Sequence, residues 1–208
     1  MAYEYLTNYN ANAYMIGRMS NGVQHAVDKI IIHHWGATGQ TFDGVCAWFE
    51  SPNCQTSAHY VVEGGRVACL VNLSDTAYHA GDWGANLTSI GIEARPEMSE
   101  ADLETVCELV AYLYKVYGEL PIYGHKDFSS TACPGKYYGK LDYIHDRALE
   151  LMHGDTGSTD NADTNEPSKW AKDAWAKAHE MGLMDGTRPH DNVTREELAA
   201  VLVRLSEK

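Results

Sequence analysis

The sequence predicts an α/β fold: a mixed central β-sheet flanked by α-helices, with a small two-helix module at the C-terminus. Three observations carry this. Short apolar runs of strand length alternate with helical patterns in the order strand, helix, hairpin, strand, helix, strand, helix, which requires a mixed sheet covered by helices. In the longest helical pattern Leu103, Val106, Cys107, Val110, Leu113, Tyr114 and Tyr117 recur at 3.6-residue spacing. No large apolar residue occurs from Gly154 to Ser168, so a linker at 154–168 separates a domain at 1–153 from a module at 169–208.

In chain order, residues 1–27 are polar and without clean period, and are expected to be an irregular lead-in poor in strands. Lys29 to His34 contains Ile30, Ile31 and Ile32 in succession and reads as a buried strand. After the loop Gly36 to Gly39, Thr41 caps a short helix with Val45, Trp48 and Phe49 on one face, stopped by Pro52. His59–Val62 and Arg66–Val71 flank Glu63-Gly64-Gly65 as a hairpin. Ser89–Ala94 is a further strand, ended by Pro96. The long helix runs from about Glu100 to Tyr117, with Ser99 as N-cap, Asp102 in its first turn and Gly118 as its stop; Cys107 on its apolar face is a core residue. Leu120–Tyr123 is a strand that stops at Gly124, and a helix around Leu141 to Met152 closes the domain.

A net charge of −13 leaves no basic block to neutralise phosphates, which argues against nucleic acid as a partner. No segment is long and apolar enough to span a bilayer, so no membrane role is expected. Met1 to Asn8 contains neither the basic region nor the apolar run of a signal peptide, and synthesis in the cytoplasm is expected. Five cysteines without such a leader fit reduced thiols better than a disulfide framework.

The chemistry centres on Ile122 to Tyr138. His125 sits at a strand end and Cys133 follows eight residues later in a loop closed by Pro134 and Gly135. Imidazole plus thiolate is a zinc-type pair, and a Pro-Gly turn holds the sulfur in place. A third ligand must come from elsewhere, and the best source is the end of the isoleucine strand, His33 or His34. Strand alternation puts these two on opposite faces, so one of them ligates. Two His and one Cys leave a fourth tetrahedral position for water, the arrangement of a catalytic zinc. Glu93, at the end of another apolar strand, is the candidate carboxylate to take the water's proton and pass it to a leaving amine. The Gly-rich, aromatic run Tyr78 to Asn86 suits a groove-lining loop, with His79, Trp83 and Asn86 as candidate substrate contacts.

Ile30 to His34, Ser57 to Val62, Tyr78-His-Ala-Gly81, Ser89 to Glu93 and His125-Lys-Asp with Ala132-Cys-Pro-Gly135 together resemble the zinc N-acetylmuramoyl-L-alanine amidases. These share a fold with the peptidoglycan recognition proteins and include many phage endolysins. The resemblance covers about residues 25–150 and keeps the family's segment order. It implies a muropeptide-binding groove, zinc ligands His33, His125 and Cys133, and Glu93 as the catalytic glutamate. Some members carry a tyrosine where this chain has Ala58 and a lysine where it has Thr131, so the chain looks like the glutamate-using branch. His34, Lys126 and Thr131 are the candidate donors to the oxyanion.

At the C-terminus, Trp170, Ala174 and Ala178 lie on one helical face ended by Gly182, and Thr194 to Glu197 is a capping box before Leu198, Val201, Leu202 and Leu205. The module resembles a single S-layer-homology repeat, a family that binds secondary cell-wall polymers, with Arg195 at the matching position. Self-association through its apolar stripe is the simpler expectation; equal monomer masses for the full chain and a chain ending near Gly154 would sink it. The sequence reading is therefore a zinc amidase of bacterial peptidoglycan, of endolysin type, acting on the wall after release. The rival is a non-catalytic muropeptide-binding module on the same groove, and a peptidase acting within the stem peptide is the third.

Overall fold

The computed structural model describes residues 3–154 and 172–183. In chain order the strands and helices are β1 (Glu4–Leu6), β2 (Tyr14–Met15), β3 (Met19–Ser20), β4 (Val23–Gln24), β5 (Lys29–His34), α1 (Phe42–Glu50), β6 (Tyr60–Glu63), β7 (Arg66–Cys69), β8 (Thr76–Ala77), α2 (Trp83–Thr88), β9 (Ser89–Ala94), α3 (Glu100–Tyr117), β10 (Ile122–Gly124), α4 (Leu141–Gly154) and α5 (Lys172–Glu180). Six strands form one sheet in the order β1-β7-β6-β9-β5-β10. Only the β6–β7 hairpin is antiparallel within it. The expected mixed sheet flanked by helices is thus the fold, and each expected strand and helix from Lys29 to Met152 is present with small shifts at its ends.

The isoleucine strand occupies the middle because it is apolar on both faces. Ile30 and Ile32 pack with Ile90, Ile92, Val62 and the α3–α4 layer, whereas Ile31 packs on the opposite face against Ala80, Ala85 and Phe128. Strand alternation then places His33 on the face of Ile31. On that same side, farther along the sheet, α1 buries Phe42, Val45, Cys46 and Phe49 against Val61 and Ala68.

α3 begins in a capping box: the Asp102 N–H donates to Ser99 Oγ and the Ser99 N–H to Asp102 Oδ2, at 3.1 and 2.8 Å. The helix also fastens the hairpin turn, since Gly64 N–H donates to Asp102 Oδ1 and Gly65 N–H to Thr105 Oγ1, both at 2.8 Å. A side chain at Gly64 would meet the Ala101 Cβ at 2.8 Å, so this close approach requires glycine.

Two expectations are corrected. The lead-in contains β1 to β4, and β1 extends the main sheet in parallel with β7. Its Arg18, only 3% exposed, donates to the carbonyls of Leu73, Leu87 and Ser89 at 3.0 to 3.1 Å. The second correction is α2, which stands where a groove-lining loop was expected. Asp82 caps it by accepting the Ala85 N–H at 2.7 Å, and Arg18 satisfies carbonyls at its other end. One arginine reaching across the chain replaces a periodic apolar stripe at α2, whereas β3 and β4 are joined by the local hairpin turn Asn21-Gly22, both residues at positive φ.

All five cysteines are free. Among the described residues no helix is long and apolar enough to cross a membrane. The chain divides into two units, Met1–Gly157 and Ser158–Lys208. In the second, α5 ends as expected at Gly182, whose φ of +67° permits the Leu183 N–H to donate to the Ala178 carbonyl at 3.0 Å. Trp170, the segment Thr194 to Leu205 and the linker beyond Gly154 lie outside the described residues.

Candidate metal centre

Three neighbouring parallel strands deliver the site from their C-terminal ends, where parallel sheets place ligands. The register sets Glu93 of β9 directly beside His33 of β5, and Gly124 of β10 beside Ile32, so His125 leaves its strand next to His33. Cys133 returns in the following loop. Lys126 N–H donates to the Cys133 carbonyl at 3.0 Å, and the Cys133 N–H donates to Thr131 Oγ1 at 3.2 Å. A Cβ at Gly124 would meet Tyr138 at 2.6 Å and Pro134 at 2.8 Å, so this glycine lets the cysteine loop lie on the strand end. The sulfur accepts the His34 N–H at 3.3 Å and stands 3.7 Å from His33 Nδ1.

The ligand atoms of His33, His125 and Cys133 lie within 4.8 Å of one another. Tetrahedral zinc separates a nitrogen and a sulfur ligand by about 3.6 Å, close to the His33–Cys133 distance. Buried polar atoms nearly always have partners, yet His125 Nε2 and Glu93 Oε2 are buried with none in the protein. The His125 ring also bonds the Ala80 backbone, which leaves Nε2 free for another partner. The donor set and the orphaned atoms fit a zinc ion.

Burial governs the electrostatics. It holds His33 well below the usual imidazole range, helped by His79, His125 and His34, and it lowers His125. Both rings are therefore neutral at pH 7, with lone pairs to give. Burial, with the Glu93 charge second, pushes the Cys133 thiol up to about 12. Such a site favours the thiolate only with a cation beside it. Burial also raises the Glu93 carboxyl to about 8; Oε1 lies 3.9 Å from His33 Nδ1 and about 15% of the side chain is exposed.

A cleft of about 210 Å³ opens beside Glu93, walled by His34, Trp35, Val45, Trp48 and Phe49. His34 Nδ1 accepts the Gly36 N–H at 3.1 Å, which leaves the Nε2 proton to be donated. Trp48 is 55% exposed. Its helical spacing from Val45 marked it as a packing residue, and nothing in that spacing indicated that it borders the cleft. Thr131 braces the cysteine loop through the bond already described. Lys126 is exposed, with its ammonium 4.4 Å from the centre of the Tyr138 ring.

The structure separates the three contacts expected from the Tyr78 to Asn86 run. Trp83 is 45% exposed and leans on Tyr78. Asn86 is buried, its Oδ1 accepting the N–H groups of His79 and Ala80 at 3.0 and 2.8 Å. His79 is buried too, with Nδ1 on His33 Nε2 at 2.9 Å and Nε2 on Ser89 Oγ at 3.1 Å. Neither lines the groove, because both are taken up inside the fold in holding the chain behind His33.

The family model for N-acetylmuramoyl-L-alanine amidase matches residues 23–136, more than half of the chain. No curated protein matches. Among solved structures, the Staphylococcus aureus hydrolase AmiA in complex with its ligand aligns with a TM-score of 0.60 at 17% identity, over 77% of this chain and 88% of that one. A mutant endolysin from Bacillus subtilis aligns at 0.57 and 20%, over 70% and 99%. The N-acetylmuramoyl-L-alanine amidase LysC from Clostridium intestinale aligns at 0.52 and 17%, over 70% and 97%. At such identities the structures establish the fold, and the family match carries the assignment. By that match, with the residues at its sheet edge in place, the chain belongs to the N-acetylmuramoyl-L-alanine amidase family.

Proposed function

We propose that the chain is a zinc-dependent peptidoglycan amidase that cuts the bond between the lactyl carbonyl of N-acetylmuramic acid and the L-alanine of the stem peptide. The observation that carries this is the convergence of two imidazoles and a thiol within 4.8 Å beside a buried carboxylate at one sheet edge. His33, His125 and Cys133 hold the ion. Zinc, when bound, supplies a Lewis acid that polarises the amide carbonyl and makes water acidic enough to attack at neutral pH.

Glu93 takes the proton of the attacking water and hands it to the departing alanine nitrogen. Burial raises the proton affinity of Glu93 and a divalent cation beside it would lower that affinity again, which would leave a carboxylate able to accept and return a proton near neutrality. The oxyanion develops next to the cleft, where His34 offers its Nε2–H; of the three candidate donors, His34 shares the cleft with Glu93. The apolar walls of Val45, Phe49 and Trp48 give the substrate a surface of low polarity. In this reading the protein is a prophage or phage endolysin that reaches the wall after release from the cytoplasm.

The test is digestion of purified peptidoglycan with and without chelator, with products read by mass spectrometry. Peptides with a new N-terminal alanine, lost with chelator and restored by zinc, are expected. Cuts inside the stem peptide would make the protein a peptidase, and bound zinc without cleavage would make it a recognition module.

A further inference from the structure

His33 has two ring nitrogens, and only the one without a proton can ligate. Its Nε2 faces His79 Nδ1 at 2.9 Å, while its Nδ1 faces Cys133 Sγ. A bond between two neutral imidazoles carries one proton, and its direction must be set from outside the pair. Ser89 sets it. The Ser89 hydroxyl lies 2.6 Å from the Ala85 carbonyl, which can only accept, so the hydroxyl proton points there. Ser89 Oγ is then an acceptor for His79 Nε2–H at 3.1 Å. His79 Nδ1 is left bare and accepts from His33 Nε2–H. The last consequence is that His33 Nδ1 keeps its lone pair, aimed at the ligand cluster.

We propose that Ser89 and His79 are positioning residues that lock His33 in the Nε2–H tautomer, and that the backbone carbonyl of Ala85 is the anchor of this lock. The inference rests on the zinc reading above. The opposite polarity would put a proton on His33 Nδ1, between the ring and the metal. It would also turn the Ser89 hydroxyl away from Ala85 and leave two oxygen lone-pair sets facing each other at 2.6 Å in a buried place. The packing supports the lock as a built feature. The His79 ring lies on β9 in the space a side chain at Gly91 would fill, with an added Cβ meeting it at 2.5 Å. The two rings meet edge to face, 85° apart at 5.0 Å. A partner carrying the second nitrogen of a ligating histidine is the general way such rings are oriented.

The experiment uses the full chain, metal-free, with nitrogen-15 NMR of the histidine rings, followed by zinc titration against a chromophoric chelator. In the wild type, His33 should show the Nε2–H form alone. Ser89→Ala cuts the link between the Ala85 carbonyl and His79 while keeping both rings; the Nδ1–H form of His33 should appear and zinc affinity should fall roughly tenfold. His79→Gln, whose amide accepts through oxygen and donates through nitrogen, should keep most of the affinity, whereas His79→Phe should not. His33 as Nδ1–H in the wild type, or a folded Ser89→Ala chain with the wild-type tautomer, overturns the lock. If Ser89→Ala fails to fold, the wild-type spectrum decides alone. A wild-type chain that takes up no zinc overturns the metal reading instead, on a separate readout.

Discussion

The two faces of β5 and β9 are built on different rules. One face presents Ile30, Ile32, Ile90 and Ile92 to the α3–α4 layer, all fully buried. The other carries Ile31, His33, Ser89, Gly91 and Glu93, against which stand His79, His59 and Arg18. Dispersion and area burial hold the first face, and these are non-directional. Directional hydrogen bonds between buried polar atoms hold the second. The apolar face should therefore tolerate changes of shape, and the polar face should fail at single atoms.

The sharpest way to break the comparison is Glu93→Gln, which changes one atom on the polar face. Turnover should fall on the order of 10³-fold, about 4 kcal/mol, with zinc content and thermal midpoint little changed. Retained turnover would remove Glu93 from the chemistry and leave the polar face a structural device only.

Acid stability comes next. Burial lowers His59 to about 3 and holds His33 and His79 well below their ordinary value. Each folded ring is neutral where the unfolded ring, with a pKa of about 6.5, begins to take a proton. The unfolded chain thus binds more protons below pH 6.5, and stability falls as pH falls through that window, by about 1.4 kcal/mol per pH unit for each fully titrating ring. Urea unfolding in chelator should still show stability falling between pH 6 and 5, because the three rings outweigh the one proton that Glu93, raised to about 8, holds in the folded state. His59→Gln should reduce that slope by about one proton and Ile92→Val should leave it alone. Equal slopes in all three chains would contradict the buried neutral state of His59.

The smallest effects compare two conservative changes one residue apart. Gly91→Ala drives a methyl into the His79 ring and should cost about 1–3 kcal/mol. Ile92→Val, on the apolar face, should cost about 0.5–1.5 kcal/mol. If urea denaturation ranks them in reverse, His79 is not seated as tightly on β9 as the geometry indicates.

Much of the molecule was legible in the chain. The isoleucine run, the β6–β7 hairpin, α1 and the long α3 with its cap and stop all have local signals, either a period or a residue whose backbone preference ends an element. Two of the site's groups were legible for the same reason: His125 and Cys133 lie eight residues apart in a loop that Pro134 and Gly135 close. His33, over His34, follows from alternation once Ile31 is known to face the site. Arg18, β1, β2 and α2 were not legible. Arg18 holds carbonyls more than fifty residues away, and β1 and β2 pair with the distant β7 and β8, contacts that leave no period. β3 and β4 did have a local signal, the Asn21-Gly22 turn between them, with both residues at positive φ.

By itself the sequence determined the fold class, the strand ends and the residue types that collect there, because periodicity and turn chemistry are properties of neighbours along the chain. Only the tertiary structure decided what those residues face. It turned His79 and Asn86 from the groove to the interior, set Trp48 at the cleft, and left His125 Nε2 and Glu93 Oε2 buried without a partner in the protein. The physical reason is that a hydrogen bond or a ligand cluster depends on the position of single atoms within a few tenths of an ångström. That position is set where β9, β5 and β10 come side by side.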